Sequence, residues 1–199
     1  MVLVGINLLS NFLVNFYEIV EWKHACAILK GDFPREFKEL TDLLESFRLE
    51  KSSILTPGGR KSPISEFIDS FLYQRGWKES SFDIKIEVDG EATDSPTHKV
   101  DCYKNGIALE IEWNNKDPFF DRDLNNFRLL YDLRVVSVGI IITRSDKLQA
   151  IFNGLGKGSS YGASTTHMGK LLPRIKGGAG GGCPLLVFGI TPKLYIEDM

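Results

Sequence analysis

HKVDCYKNGIALEIEWNNKD, residues 98–117, carries both a fold instruction and a cluster of acids. Asn105-Gly106 is the dipeptide that a tight primed turn prefers, because both central residues need positive φ. A two-residue loop there makes cross-strand partners add to 211: Lys104 faces Ile107, Tyr103 faces Ala108, Cys102 faces Leu109 and Asp101 faces Glu110. Two carboxylates then stand opposite each other, their Cβ atoms about 5 Å apart. Glu112, two residues beyond Glu110, points to the same face, while Leu109, Ile111 and Trp113 point the other way, into the core. Three like charges on one face repel, which destabilises a sheet and pushes at least one carboxyl pKa upward. A hard divalent cation relieves that repulsion, and Mg2+ takes oxygen ligands of this kind alongside a substrate phosphate. The same alternation also fits the solvated polar side of an edge hairpin.

Outward from the hairpin the chain reads as mixed α/β. Asp32–Phe47 has Pro34 at a first turn and Phe37, Leu40, Leu44 and Phe47 on one face, which predicts a helix. Ser62 and Pro63 cap a second, with Ile64, Phe67, Ile68, Phe71 and Leu72 at helical spacing until Gly76. Phe82–Val88 alternates as a half-buried strand, and Asp89–Thr97 follows as a polar turn segment. Asp123–Leu133 reads as a helix with Leu124, Phe127, Leu130 and Tyr131 as its apolar side. Val135–Thr143 is β-branched almost throughout, the mark of a strand covered on both faces. Asp146–Phe152 reads as a short helix, Gly154–Gly182 with its ten glycines as long loops, and Cys183–Ile190 as a last buried strand. The expectation is a central mixed β-sheet flanked by helices, in one domain spanning residues 1–199. The apolar stretch Met1–Phe16 has no assigned role.

Composition excludes several classes. At 199 residues, 43% apolar and 25% charged, the chain is neither disordered nor fibrous. No window approaches the roughly 18 apolar residues of a spanning helix, so no membrane association is expected. The N-terminus lacks the basic start and cleavage site of a signal peptide. Cys26, Cys102 and Cys183 are odd in number and widely spaced, which suits a reducing cytoplasm better than a disulfide or zinc framework. Charge is segregated along the chain. Lys147–Ile196 has six bases and no acid, so within a total of −2 the remaining 149 residues carry −8. Such a stretch attracts a polyanion, although an ordinary loop face with few acids would look the same.

Asp101, Glu110 and Glu112 in D-x8-E-x-E order, within DCYKNGIALEIEWNN and followed by VGIIIT and CPLLVFGI, resemble the type II restriction endonucleases of the BglII/BstYI family. These belong to the PD-(D/E)xK nuclease superfamily. The resemblance covers about Trp77–Ile190 and implies a restriction-endonuclease-like core. It also implies hydrolysis of phosphodiester bonds in double-stranded DNA at a short palindromic, GATC-containing kind of site, leaving 5′-phosphates. By the same resemblance Asp101, Glu110 and the Ile111 carbonyl hold Mg2+, Glu112 orients or deprotonates the attacking water, and the enzyme is a homodimer. The helix around Leu124–Tyr131 is the candidate dimer element. No nucleotide cofactor is expected. Two positions depart from the pattern: Val100 replaces the proline before Asp101, and Glu112 stands where most of the superfamily has lysine and the nearer relatives have glutamine.

DNA contacts are expected from loops 114–120 and 154–182. Asn114, Asn115 and Lys116 follow the catalytic strand; amides can bond two edge atoms of adenine, and lysine reaches guanine or phosphate. The resemblance implies a base contact for Asn115. Ser159 and Ser160 sit on a glycine-rich backbone that can enter a groove, with Lys157, Lys170, Arg174 and Lys176 available to phosphates. Other motifs are weaker. Gly158-x-Ser160-x-Gly162 lacks the strand and helix that a nucleophile elbow requires. His24, His98 and His167 have no metal-ligand spacing and read as surface or structural. A non-catalytic DNA-binding protein and a junction-specific nuclease on the same fold stay open as alternatives.

Overall fold

The computed structural model describes residues 5–57, 59, 61–95 and 97–198. Its main sheet runs in the order β1 (Tyr17–Trp22), β9 (Leu185–Ile190), β8 (Val138–Arg144), β7 (Ile107–Glu112), β6 (Val100–Lys104) and β3 (Lys78–Ser80). β7, β8 and β9 are mutually parallel, whereas β1, β6 and β3 are antiparallel to their neighbours, so the sheet is mixed as expected. β2 (Leu49–Glu50) pairs with β10 (Tyr195–Ile196), and β4 (Ile84–Val88) with β5 (Glu91–Ser95), each outside that sheet.

Helices cover both faces. On one lie α1 (Asn11–Phe16), α2 (Ala25–Asp32), α3 (Pro34–Ser46), α4 (Lys51–Leu55), α5 (Pro63–Tyr73) and α7 (Gln149–Gly154). Their Leu13, Leu29, Leu40, Ile54, Ile68 and Phe152 pack with Leu109, Ile111, Ile140, Ile142 and Phe188 of the sheet. On the other lie α6 (Phe119–Asp132) and α8 (Met168–Lys176), whose Phe120, Leu124, Phe127, Leu171 and Ile175 meet Ala108, Ile141 and Val187. The alternation of β8 is visible here, with Ile140 and Ile142 on one side and Ile141 on the other. A Cβ added at Gly139 would stand 2.6 Å from the Phe127 ring, so glycine there lets α6 lie close on the sheet.

The hairpin forms in the expected register: Lys104 opposite Ile107, Tyr103 opposite Ala108, Cys102 opposite Leu109. Asn105 (φ 48) and Gly106 (φ 85) supply the two left-handed turn residues. Ser62 Oγ accepts from Ser65 N–H at the start of α5, as its sequence position implied.

Several expectations are corrected. Gly154–Gly182 is not all loop, because α8 lies inside it with Met168, Leu171 and Ile175 buried at helical spacing that the surrounding glycines obscure. Asp89–Thr97 is not merely a turn. Asp89-Gly90 is the turn, and the polar EATDS beyond it forms β5, held by β4 rather than by a buried face. β4 itself leaves Val88 63% exposed, since that hairpin stands apart from the main sheet. Phe67 does not join the apolar face of α5 and is 43% exposed. The helix predicted from Asp32 breaks at Phe33, where Pro34 starts α3 after α2 has ended. Helix α6 begins at Phe119 and the β-branched strand at Val138, because Val135 and Val136 donate their N–H groups to Leu130 O. The unassigned N-terminal stretch supplies core residues Leu9 and Leu13, and β1 follows it; Met1–Val4 lie outside the described residues.

Candidate active site

Opposite β3, the strand β6 carries one extra residue, with Lys78 facing Tyr103 but Ser80 facing Val100. That bulge falls at Asp101, at the open end of the hairpin; bulges often re-aim a side chain next to an active site. The Asp101 carboxylate accepts the Ile111 N–H at 2.9 Å through Oδ2, and Asp101 N–H donates to Glu110 Oε2 at 3.4 Å. The first two acids of the D-x8-E-x-E pattern are therefore joined directly. Asp101 is part-exposed and lines a cleft of about 400 Å³ with Ile111, Trp113, Asn114, Asn115 and Ser160. Asp69 and Lys61, paired with each other, lie on the far wall.

Glu110 and Glu112 face α6 instead, and both are buried, which rules out the alternative of a solvated edge-hairpin face. The reason is that β7 is central, with a helix layer over each side. What they meet is Asp123, a fourth carboxylate, buried on α6. Glu112 Oε2 accepts from Asn115 Nδ2 at 3.0 Å, and Arg122 Nη2 lies 3.7 Å from Glu112 Oε1. Arg122 also donates to Asp123 Oδ1 through Nε (3.1 Å) and Nη2 (3.0 Å). His98 Nε2 stands 3.4 Å from the same Oδ1. Glu110 Oε1 and Asp123 Oδ2 have no hydrogen-bond partner.

The electrostatics follow from burial. Desolvation, reinforced by Asp123 and Asp101, holds the Glu110 carboxyl well above the ordinary range. Desolvation and Asp123 push Glu112 up to about 9. Asp123 is raised to about 6 by burial, with Glu112 and Arg122 restraining the rise. Asp101 is raised by burial against the lowering effect of the Ile111 N–H. Burial and the Arg122 charge lower His98. Four acids beside one guanidinium and one imidazole gather donor oxygens that a divalent cation can bind by displacing their protons. The orphaned Glu110 and Asp123 oxygens are atoms such an ion can satisfy.

Loops continue directly from this end. Thr143 Oγ1 and Thr166 Oγ1 both donate to the Glu112 carbonyl, at 2.7 and 3.1 Å. Asn114 takes φ 129, its N–H donating to Thr166 Oγ1, and Lys116 bridges to Thr165. Buried Arg144 reaches Tyr161 O (3.0 Å) and Thr165 Oγ1 (2.8 Å) through Nη2, fixing the 161–165 turn. Among the expected DNA-contact residues, Asn114, Asn115 and Ser160 share the cleft with Asp101, and Lys116 and Ser159 are exposed outside its lining. Lys170 and Arg174 lie elsewhere, on α8, in ion pairs with Asp117 and Asp121. The acid-free stretch is thus partly neutralised in space by acids from α6 and the turn before it.

The model of the restriction endonuclease BglII/BglIII family matches residues 17–190, most of the chain. The protein belongs to that family. It is accordingly a nuclease-type hydrolase of a restriction system, acting on DNA, and enzymes of this kind generally depend on a divalent metal. A search of curated proteins returned no match. No helix among the described residues is long and apolar enough to cross a membrane, and Cys26, Cys102 and Cys183 are all free and buried.

Two residues of the acid pocket, Asp123 and His98, escaped the sequence reading. His98 has no spacing signal. Asp123 does: it lies between Phe120, Leu124 and Phe127 on the apolar face of α6, where an acid calls for a partner.

Proposed function

We propose that the chain is a Mg2+-dependent type II endonuclease that hydrolyses both strands of DNA at a short palindromic site and leaves 5′-phosphate ends. The observation that carries this reading is the junction of Asp101 with Glu110 beside a cleft whose wall continues into Asn114, Asn115 and Ser160. Asp101 and Glu110, with the neighbouring Ile111 carbonyl, would hold the metal, and Glu112 would orient the attacking water or take its proton. When bound, the ion supplies Lewis-acid stabilisation of the charge on the phosphate and the leaving 3′ oxygen. Asn115 reaches Glu112 from the base-reading loop, so the residue expected to read a base also touches a catalytic carboxylate. Lys157 on the cleft wall can meet phosphates, whereas Lys61 would first have to leave Asp69. Lys170 and Arg174 would contribute only by exchanging their carboxylates for phosphate.

A palindromic site matches a two-fold homodimer working in the cytoplasm. Leu124, Phe127 and Leu130 are buried against this chain's own sheet, so the apolar side of α6 is not the surface that would pair; its outer side carries Asp121, Asn125, Arg128 and Leu133.

The test compares wild type with Glu110→Ala on mixed plasmid DNA. Mg2+ should support cutting by the wild type alone, while both proteins shift DNA on a gel in Ca2+. Binding without cutting by either protein would favour a DNA-binding module. Cutting of branched DNA, with plasmids left without discrete bands, would favour a junction nuclease.

A further inference from the structure

The acid pocket holds more ligand atoms than the Asp101 side requires. Glu110 and Asp123 each commit one oxygen to the chain: Oε2 accepts from Asp101 N–H, and Oδ1 from Arg122. The other oxygen of each is buried and unpartnered. A buried acceptor left in that condition is destabilising unless something outside the chain satisfies it. His98 completes the group: one donor atom from each of His98, Glu110 and Asp123 lies within 4.8 Å of the others. The His98 backbone is tied to α6, its carbonyl accepting from Asn126 Nδ2 at 3.1 Å, and its Nε2 stands 3.4 Å from Asp123 Oδ1. Asp101 is absent from this trio and opens to the cleft.

We propose that His98, Glu110 and Asp123 form a second divalent-cation site, sharing Glu110 with the Asp101 side of the centre and selecting ions that accept imidazole, such as Mn2+ or Co2+, over Mg2+. The site deepens the proposed function, resting on Glu110 as a metal ligand. Two carboxylate oxygens and one imidazole nitrogen suit borderline transition ions, whereas Mg2+ is held by oxygen. A shared carboxylate is the usual bridge where two ions sit side by side. Arg122, 42% exposed along its side chain, balances Asp123 while its guanidinium stacks on the Phe119 ring at 4.2 Å.

Metal uptake by the full chain tests the site without reference to cutting. Wild type, His98→Gln, Asp123→Asn and Asp101→Asn are titrated with Mn2+, followed by the loss of the free-ion electron resonance signal, and with Co2+, followed by its visible absorption. Relative to wild type, H98Q and D123N should each bind one Mn2+ fewer per chain and lose the imidazole-dependent Co2+ bands. D101N should retain those bands. H98Q removes a side chain only 15% exposed at the rim, and it decides the matter even if D123N fails to fold. Unchanged Mn2+ stoichiometry and Co2+ bands in H98Q would overturn the site. A wild type that cuts DNA while H98Q keeps every ion refutes the site and leaves the function standing; a wild type that cuts nothing while H98Q loses an ion does the reverse.

Discussion

The two ends of one hairpin are built on opposite principles. At the turn end every charge has a partner: Lys104 Nζ donates to both Glu39 oxygens at 2.8 Å and to Arg75 O, Trp77 Nε1 donates to Glu39, and Asn105 donates to Glu36. Though burial opposes it, those donors hold the Glu39 carboxyl below its ordinary range. At the open end Asp101, Glu110, Glu112 and Asp123 crowd together, all raised, with two oxygens unpartnered. The same strands thus end in a paired, stabilising cluster on one side and in a crowd of raised, partly unpartnered carboxyls on the other. Strain of that kind is tolerated where function requires it and is offset elsewhere in the fold.

Substitutions should separate the two ends. Glu110→Gln is expected to abolish detectable plasmid cutting in Mg2+. Yet the metal-free protein should melt no lower than wild type at pH 8, because Gln keeps an acceptor for the Asp101 N–H and has no proton to lose as pH rises. A lower melting temperature would show that Glu110 stabilises the fold. Glu39→Ala at the turn end should do the opposite. Leaving Lys104 and Trp77 without their acceptor costs about 3 kcal/mol in denaturant unfolding, while cutting per folded molecule stays unchanged.

The pH dependence is also expected to differ. Glu112 has its pKa raised from 4.5 to about 9 by folding, so between those values the folded chain holds more protons than the unfolded one. Stability from this group is full below pH 4.5 and declines as pH rises toward 9. Melting in EDTA should therefore fall from pH 6 to pH 8.5, and Mn2+ should restore more at the higher pH, where the carboxyls lose protons more readily. A melting temperature that climbs over that range in Glu112-intact but not Glu112→Gln protein would contradict the assignment. The smallest effect belongs to Arg174→Ala. Its charge is already matched by Asp121, so the salt dependence of DNA binding should barely change, whereas Lys157→Ala in the cleft should lower the slope by about 1.

Much of this was legible in the chain. Asn105-Gly106 set the register, the period of two put Glu110 and Glu112 together, and the β-branched run Val135–Thr143 marked the covered strand beside them. What could not be read is as instructive. Asp101 was expected to stand opposite Glu110 on one face, but β6 carries an extra residue between Val100 and Tyr103 against β3 and Asp101 lines the cleft, and no local residue type announces that bulge. Asp123 and His98 join the pocket only through the docking of α6, a tertiary contact depending on Gly139 and Phe127. Lys170 and Arg174 looked like free cations because their partners, Asp117 and Asp121, lie more than fifty residues earlier.

Fragment-end mapping after Mg2+ digestion of a sequenced plasmid tests the central claim most directly. Every end should fall at one short two-fold-symmetric motif and carry a 5′-phosphate. DNA left intact in Mg2+ and Mn2+, or ends scattered without a motif, would contradict it.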